Sequence, residues 1–202
     1  GKTWSDPLML NEQVRTGLKE GNASFYGVGP GRGLVTSKGR IILPCYTFTR
    51  GQGDGNTSVI YSDDGVTWHR SQALKAQTSE ATVVEADGRL YLFARHGVYA
   101  VSNDGGATWE NERRIRDMGI NINQGCQISA ITYSKLIDGK TAIILSCPTG
   151  DSRANGRLFV GLVQEDGDIE WKYEHEVTSG GDAFAYSCVT EAQDGSLALL
   201  YE

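Results

Sequence analysis

The chain has 202 residues, 39% of them apolar and 22% charged, the profile of a folded globular chain rather than a disordered or collagen-like one. A formal net charge of -6 argues against a general nucleic-acid-binding surface, though not against a local cluster of arginines. No apolar run approaches the roughly 20 residues that cross a bilayer as a helix.

The opening residues, Gly1-Lys2-Thr3-Trp4, include no initiator Met and no charged-then-apolar leader. The chain is therefore expected to be a piece of a longer polypeptide, 1–202 forming part of one domain. Glycine is abundant at 26 and proline scarce at 4, and long helical patterns are missing. Short β-rich runs occupy residues 40–44, 58–62, 89–94, 98–102, 142–146, 158–163 and 197–201. Turn signals bound most of them: Lys38-Gly39, Asp87-Gly88, Asp138-Gly139 and Asp194-Gly195. Glycine accepts a positive φ at low cost, so Asp-Gly between β-rich runs is a good hairpin signal. The pattern predicts an all-β chain of successive antiparallel hairpins.

A repeat runs through these hairpins. Asp63-Asp-Gly-Val-Thr-Trp68 and Asp104-Gly-Gly-Ala-Thr-Trp109 share the spacing Asp-x-Gly-x-Thr-Trp. Gly1-Lys-Thr-Trp4 reads as the tail of a third copy, and Asp166-Gly-Asp-Ile-Glu-Trp171 as a degenerate fourth. Trp68 and Trp109 stand 41 residues apart, the length of a four-stranded propeller blade. In such a unit an Asp carboxylate accepts backbone N–H bonds in a tight turn, and the Trp ring buries a large area beneath the hairpin. Its role is structural.

The turn resembles the Asp-box, Ser-x-Asp-x-Gly-x-Thr-Trp. Residues 102–109 match it fully, and in the first copy Tyr61 stands where the Ser belongs. Four further stretches resemble bacterial exo-sialidases (neuraminidases), whose fold is a six-bladed β-propeller. These are Gly29-Pro-Gly-Arg-Gly33 with Arg40-Ile-Ile-Leu-Pro-Cys-Tyr46; Ser79-Glu-Ala-Thr-Val-Val-Glu85 with Leu90-Tyr-Leu-Phe-Ala-Arg95; Gly125-Cys-Gln-Ile-Ser129; and Phe184-Ala-Tyr-Ser-Cys-Val-Thr-Glu191 with Leu199-Leu-Tyr-Glu202. They fall in family order from Gly29 to Glu202, and about four blades are expected here.

What the resemblance implies is chemically coherent. Sialic acid carries a carboxylate beside its anomeric carbon, and arginine supplies the planar bidentate contacts that lysine cannot. Sialidases use three such arginines; Arg95 matches the second and Arg153 the third, with Arg157 a competitor for that place. A carboxylate nucleophile would be repelled by the substrate's carboxylate, whereas a neutral tyrosine would not. Sialidases are the tyrosine exception to two-carboxylate glycoside hydrolysis. Tyrosine, with a pKa of about 10, needs a base within hydrogen-bond reach. The matching pair is Tyr186 as nucleophile and Glu80 as its base. Glu85, an odd five residues on, faces the other side of a regular strand. Gln127, Tyr46 and Phe48 resemble positions facing the glycerol side chain or neighbouring groups of the sugar, while Asn155 and Asp182 only flank the motifs. Tyr46 and Phe48 are two apart, hence on one face of a strand.

The first arginine and the aspartate general acid/base are expected before Gly1. Arg15 lacks the surrounding pattern of that arginine, and Asp6 is assigned no role. The fragment alone is expected to be inactive without the missing N-terminal blades. The four cysteines and three histidines show no metal-site spacing, so no metal and no required cofactor is expected, although a structural calcium is compatible with the resemblance. The cysteines lie in or beside apolar stretches, which predicts buried free thiols. The function implied is hydrolysis of terminal sialic acids on sialylated glycans, with retention through a tyrosyl intermediate, in a secreted or cell-surface protein. A trans-sialidase and a non-catalytic carbohydrate-binding propeller are the competing readings.

Overall fold

The structure, a computed structural model, describes residues 2–16, 25–49, 51, 53–115, 118–120 and 125–202. Fifteen strands form among them, arranged as three antiparallel meanders and the beginning of a fourth. The first sheet contains β1 (Phe25–Val28), β2 (Leu34–Val35), β3 (Ile41–Thr49), β4 (Gly53–Ser62) and β5 (His69–Arg70). The second is β6 (Ala81–Ala86), β7 (Arg89–Ala94), β8 (Val98–Ser102) and β9 (Glu110–Arg114), in that order. The third is β10 (Ser129–Thr132), β11 (Ala142–Pro148), β12 (Gly156–Val163) and β13 (Ile169–Glu176). β14 (Cys188–Glu191) and β15 (Leu197–Leu200) pair alone. The expected four blades thus resolve into three full blades and the first hairpin of another. One four-residue helix, α1 (Asn11–Val14), precedes the sheets and buries Val14.

The Xaa-Gly turns do what their chemistry dictates. Asp87-Gly88 and Asp138-Gly139 have positive φ at both residues, and Gly39 and Gly195 have it at the glycine. Each joins the innermost strand of a sheet to the second strand, so all four turns lie at one end of the sheets.

In the first sheet that innermost strand is broken in two. β1 pairs with the far half of β3 (Phe25↔Phe48, Val28↔Cys45) and β2 with the near half (Leu34↔Ile42), and residues 29–33 bulge between them. The bulge leans on the next sheet. A Cβ built on Gly31 would stand 1.5 Å from the Ala81 carbonyl oxygen, an approach only glycine permits.

The sheets stack face to face, with apolar cores between neighbours. Ile42 and Val59 of the first sheet meet Val83, Leu90, Leu92 and Ala100 of the second. Tyr91, Phe93, Tyr99 and Val101, on the other face of the second sheet, meet Ile128, Ile143, Leu145 and Phe159 of the third. Ile131 and Ile144 meet Val189 of the last hairpin. Buried on both faces, β7 and β8 read as near-continuous apolar runs.

The repeated turns between third and fourth strands differ from the sequence expectation in one copy. In the second, the Asp104 carboxylate accepts the Thr108 N–H at 3.0 Å, the Thr108 hydroxyl at 2.7 Å and the Ser102 hydroxyl at 2.8 Å. In the first, the residues doing this are Ser62 and Asp64, not Tyr61 and Asp63. The turn is one residue shorter, and Asp63 instead makes a two-pronged pair with Arg40 at 2.7 Å. The degenerate copy at 166–171 is a tight β12–β13 turn in which Asp166 accepts the Asp168 N–H at 2.9 Å, and Trp171 packs on the core of the third sheet. Trp4 is 91% exposed and packs in no turn; Gly1 lies outside the described residues.

Candidate active site

In an antiparallel meander, the start of the first strand and the turn between the second and third strands fall at the same end. The candidate residues occupy that end of successive sheets. Glu80 immediately precedes β6, and Arg95 opens the turn after β7. Ala81 pairs with Ala94, and the Arg95 N–H donates to the Glu80 carbonyl at 2.8 Å. Fifteen residues apart in sequence, the two side chains are thereby adjacent in space. Thr78 secures the turn from behind, its hydroxyl donating to the Arg95 carbonyl at 2.6 Å.

The carboxylate of Glu80 has two partners. Arg95 donates from Nη1 to Oε2 at 3.0 Å, and the Tyr186 hydroxyl donates to Oε1 at 3.0 Å across 106 residues of sequence. Glu80 is only 8% exposed, so the pair sits in a region of reduced dielectric where such contacts are stronger than in water. Burial raises the Tyr186 pKa above its ordinary value of 10, and the Glu80 charge and hydrogen bond raise it further. Arg153 and Arg95 act in the opposite direction without overcoming them. Tyr186 therefore holds its proton at neutral pH, beside the group able to accept it.

Tyr186 immediately precedes Ser187 and β14 and has φ of 41°, a left-handed conformation rare for an aromatic residue. Such strain costs on the order of 1–3 kcal/mol and persists only where surrounding contacts over-determine it. Three do so here. The Ser187 hydroxyl bonds Ser146 of β11 at 2.8 Å, the Ala185 N–H donates to the Glu202 carbonyl at 2.9 Å, and the Tyr186 N–H donates to the Cys126 sulfur at 3.4 Å.

Arg153 lies in the loop between β11 and β12, with its guanidinium carbon 5.1 Å from the Tyr186 ring centroid. The Phe184 N–H donates to the Arg153 carbonyl at 2.9 Å, tying the arginine to the segment that carries the tyrosine. Arg157, the competitor, lies in β12 and pairs with Glu176 of β13. Asn155 and Asp182 are structural: Asn155 accepts the Gly181 N–H at 3.1 Å, and its own N–H donates to the Asp182 carbonyl at 3.2 Å.

The remaining candidates flank this cluster. Gln127 precedes β10 and is 4% exposed; its amide nitrogen donates to the Ile128 carbonyl at 3.1 Å, while its amide oxygen has no partner among the described residues. The half-buried Tyr46 stacks obliquely on Phe25 at 5.3 Å between centroids. A Cβ on Gly29 would lie 3.0 Å from the Tyr46 ring and 3.6 Å from the Glu80 Cα, so Tyr46 reaches the edge of the cluster. Phe48 is two residues further along β3, beyond a register shift, and 39% exposed. Glu85 is at the far end of β6, accepting the Ser37 N–H and hydroxyl at 2.6 and 2.7 Å. All four cysteines are free thiols; Cys45, Cys126 and Cys147 are buried as expected, but Cys188 is exposed at the start of β14. Among the described residues no group of three His, Cys, Asp or Glu side chains converges as a metal site, and no helix is long and apolar enough to cross a membrane.

Residues 1–199 match the family described as BNR repeat-like domain. The chain belongs to the BNR repeat-like family. Within it, the sequence stands with the sialidases. It is 35% identical to the anhydrosialidase of Macrobdella decora over 100% of this chain and 28% of that protein. It is 40% identical to sialidase B of Streptococcus pneumoniae over 86% of this chain and 26% of that protein. Among solved structures, the intramolecular trans-sialidase of Ruminococcus gnavus, in complex with oseltamivir carboxylate, superposes with a TM-score of 0.83 at 32% identity. That match covers 100% of this chain and 44% of the other. The sheets are thus blades of a sialidase-type β-propeller, and this BNR repeat chain spans between about a quarter and two fifths of the curated bacterial and leech relatives.

Two contacts around the tyrosine were not predicted. Cys126 lies inside the Gly125–Ser129 stretch, but nothing in its spacing signals that its sulfur receives the Tyr186 N–H. The Ser146–Ser187 bond likewise joins residues that only the packing of neighbouring sheets brings together. Arg153 differs: its match to the third arginine was visible, and the loop geometry places it over the ring.

Proposed function

We propose that this chain forms the C-terminal part of the catalytic propeller of an exo-sialidase that removes terminal sialic acids from glycans. The observation that carries the reading is the 3.0 Å contact from the Tyr186 hydroxyl to Glu80, beneath the guanidinium of Arg153. Two guanidiniums and one carboxylate give this cluster a net positive charge suited to an anionic sugar. Arg153 and Arg95 hold the substrate carboxylate. As the Tyr186 oxygen bonds to the anomeric carbon, its proton passes to Glu80 and the glycosidic C–O bond breaks. The departing hydroxyl takes its proton from an acid outside this chain. Water then attacks the anomeric carbon, giving a proton to the same outside group, while the bond to the Tyr186 oxygen breaks and Glu80 returns its proton to Tyr186, so two displacements retain the anomeric configuration. The scheme uses side chains alone, with no cofactor.

The first and last sheets support a longer chain. Val28, Val35 and Leu200 are exposed, the last at 76%, and in the propeller we propose these positions pack against blades supplied by the rest of the protein. The 202-residue chain alone is then inactive, and the full enzyme works outside the cell or at its surface, where sialylated glycans stand.

The test is turnover of a fluorogenic sialoside by the full-length enzyme and by its Tyr186→Phe variant. Loss of at least about a hundredfold in kcat is expected for removing an activated nucleophile's hydroxyl. Wild-type activity in that variant would remove Tyr186 from the chemistry.

A second reading, intramolecular transfer, is favoured by the names of two of the relatives above. A hydroxyl of the bound sugar would replace water in the second displacement, which requires water to be excluded from the intermediate. Mass spectrometry separates them: transfer releases an anhydro sugar lighter by one water than the hydrolysis product.

A further inference from the structure

We propose that the Gly125–Gln127 turn is a positioning clasp in which the Cys126 sulfur, by accepting the Tyr186 N–H, sets the nucleophile against its base; this rests on the reading of Tyr186 given above. The turn touches both halves of the cluster. On one side, Gly125 has φ of 64° and presses on the second sheet: a Cβ there would lie 2.6 Å from the His96 ring and 2.9 Å from the Arg95 Cγ. On the other side, Cys126 receives the Tyr186 N–H at 3.4 Å, a length suited to sulfur rather than oxygen. One short segment therefore spans from the Glu80–Arg95 hairpin to the residue whose hydroxyl must reach Glu80.

The backbone of Tyr186 makes that contact consequential. Its φ of 41° is not a conformation the residue keeps unaided, and a part-buried N–H left without an acceptor favours rotation away from it. Cys126 is 3% exposed and Gln127 4%, so the acceptor side of the contact is closed to solvent. A rotation about φ swings the ring as a lever, lengthening the hydroxyl–carboxylate contact while the Arg153 backbone stays tied to Phe184. Cys126 is thus a positioning residue: it contacts no substrate and acts through Tyr186.

The experiment compares Cys126→Ala, Cys126→Ser and Tyr186→Phe in the full-length enzyme with a fluorogenic sialoside, alongside thermal melts. Misplacement of a reacting group by about an ångström costs up to a hundredfold, so Cys126→Ala is expected to lose roughly ten- to hundredfold in kcat with KM within about twofold. Cys126→Ser, which keeps an acceptor at that place, is expected to retain kcat within about threefold of wild type. Wild-type kcat in Cys126→Ala, or equal losses in both Cys126 variants, would overturn the clasp. If Cys126→Ala does not fold, Cys126→Ser decides alone, a loss beyond about tenfold counting against it. Tyr186→Phe separates the two claims. Inactivity there beside a fully active Cys126→Ala sinks only the clasp, whereas full activity there sinks the nucleophile assignment itself.

Discussion

The Arg153 guanidinium lies over the Tyr186 ring, 5.1 Å from its centroid, whereas Arg157, four residues on, is paired with Glu176 at the outer edge of the third sheet. The two arginines compete for one place in the family resemblance, but only Arg153 is turned toward Tyr186. In the mechanism proposed above, a cation on the face of that ring would also favour the negative charge developing on the tyrosine oxygen. Replacing Arg153 by Lys keeps the charge and loses the planar fork, about 1.5–3 kcal/mol for a charge-assisted contact, or roughly ten- to hundredfold in kcat/KM. Arg157→Lys is expected to stay within about twofold, because it alters only a partly exposed ion pair away from Tyr186. Steady-state kinetics of the two variants decide it, and equal losses would reject the assignment.

Glu80 is expected to act on Tyr186 in two measurable ways. Burial is the largest cause of the raised tyrosine pKa, with the carboxylate's charge and hydrogen bond next. Glu80→Gln removes the charge and keeps the size, so the Tyr186 pKa should fall. Ring-carbon NMR of labelled tyrosine reads this directly. In kinetics the variant should lose about 10²–10⁴-fold, as for removal of a general base. A phenol near its ordinary pKa of about 10 is still mostly protonated at pH 9, so moving from about pH 6 to pH 9 should restore little of the activity. Recovery at high pH would mean that Tyr186 ionises without Glu80.

How far the sequence reached depends on the distance over which each feature is determined. The hairpins were legible because Asp-Gly turns are local, and Glu80 beside Arg95 follows once a two-strand hairpin lies between them. Local spacing failed where two equivalent residues adjoin. Asp63 and Asp64 both fit the turn, and the choice is made by Arg40, which takes Asp63 from another strand and leaves Asp64 to the Thr67 N–H. Cys188 fails for a similar reason: its apolar neighbours predict burial, but β14 presents alternate residues outward, and Val189 takes the buried face. The contact of Cys126 with Tyr186 links residues 60 apart on different sheets, and no periodicity encodes it.

The Asp104 turn supplies a prediction about acid stability. Burial works against the charge, but the bonds from the Thr108 N–H, the Thr108 hydroxyl and the Ser102 hydroxyl hold the Asp104 carboxyl below its usual range. A depressed folded-state pKa contributes stability that is present above the unfolded value, about 3.9, and is lost as pH falls through the folded one. Asp104→Asn should therefore lower the melting temperature at neutral pH and narrow its distance from wild type on acidification. Thr108→Val should lose less when combined with Asp104→Asn than alone, since both remove one hydrogen bond. Additive losses in the double variant would show that the two side chains do not act together.

Gly31 tests whether the bulge in the first sheet sets the position of Glu80. The atom that an alanine methyl would meet, 1.5 Å away, is the Ala81 carbonyl oxygen, and Ala81 follows Glu80 directly. Backbone cannot swing aside as a flexible side chain would, so the bulge or the start of β6 must move. Overpacking of this kind costs about 1–3 kcal/mol in stability. If β6 moves, the Glu80 carboxylate leaves its 3.0 Å contact with Tyr186, and kcat falls by more than the stability loss explains at a temperature where the variant is fully folded. If the bulge moves instead, stability drops while kcat holds. Melting curves and kcat of Gly31→Ala, measured together, separate these outcomes. A variant that melts and turns over like wild type would show that the bulge does not bear on β6 at all.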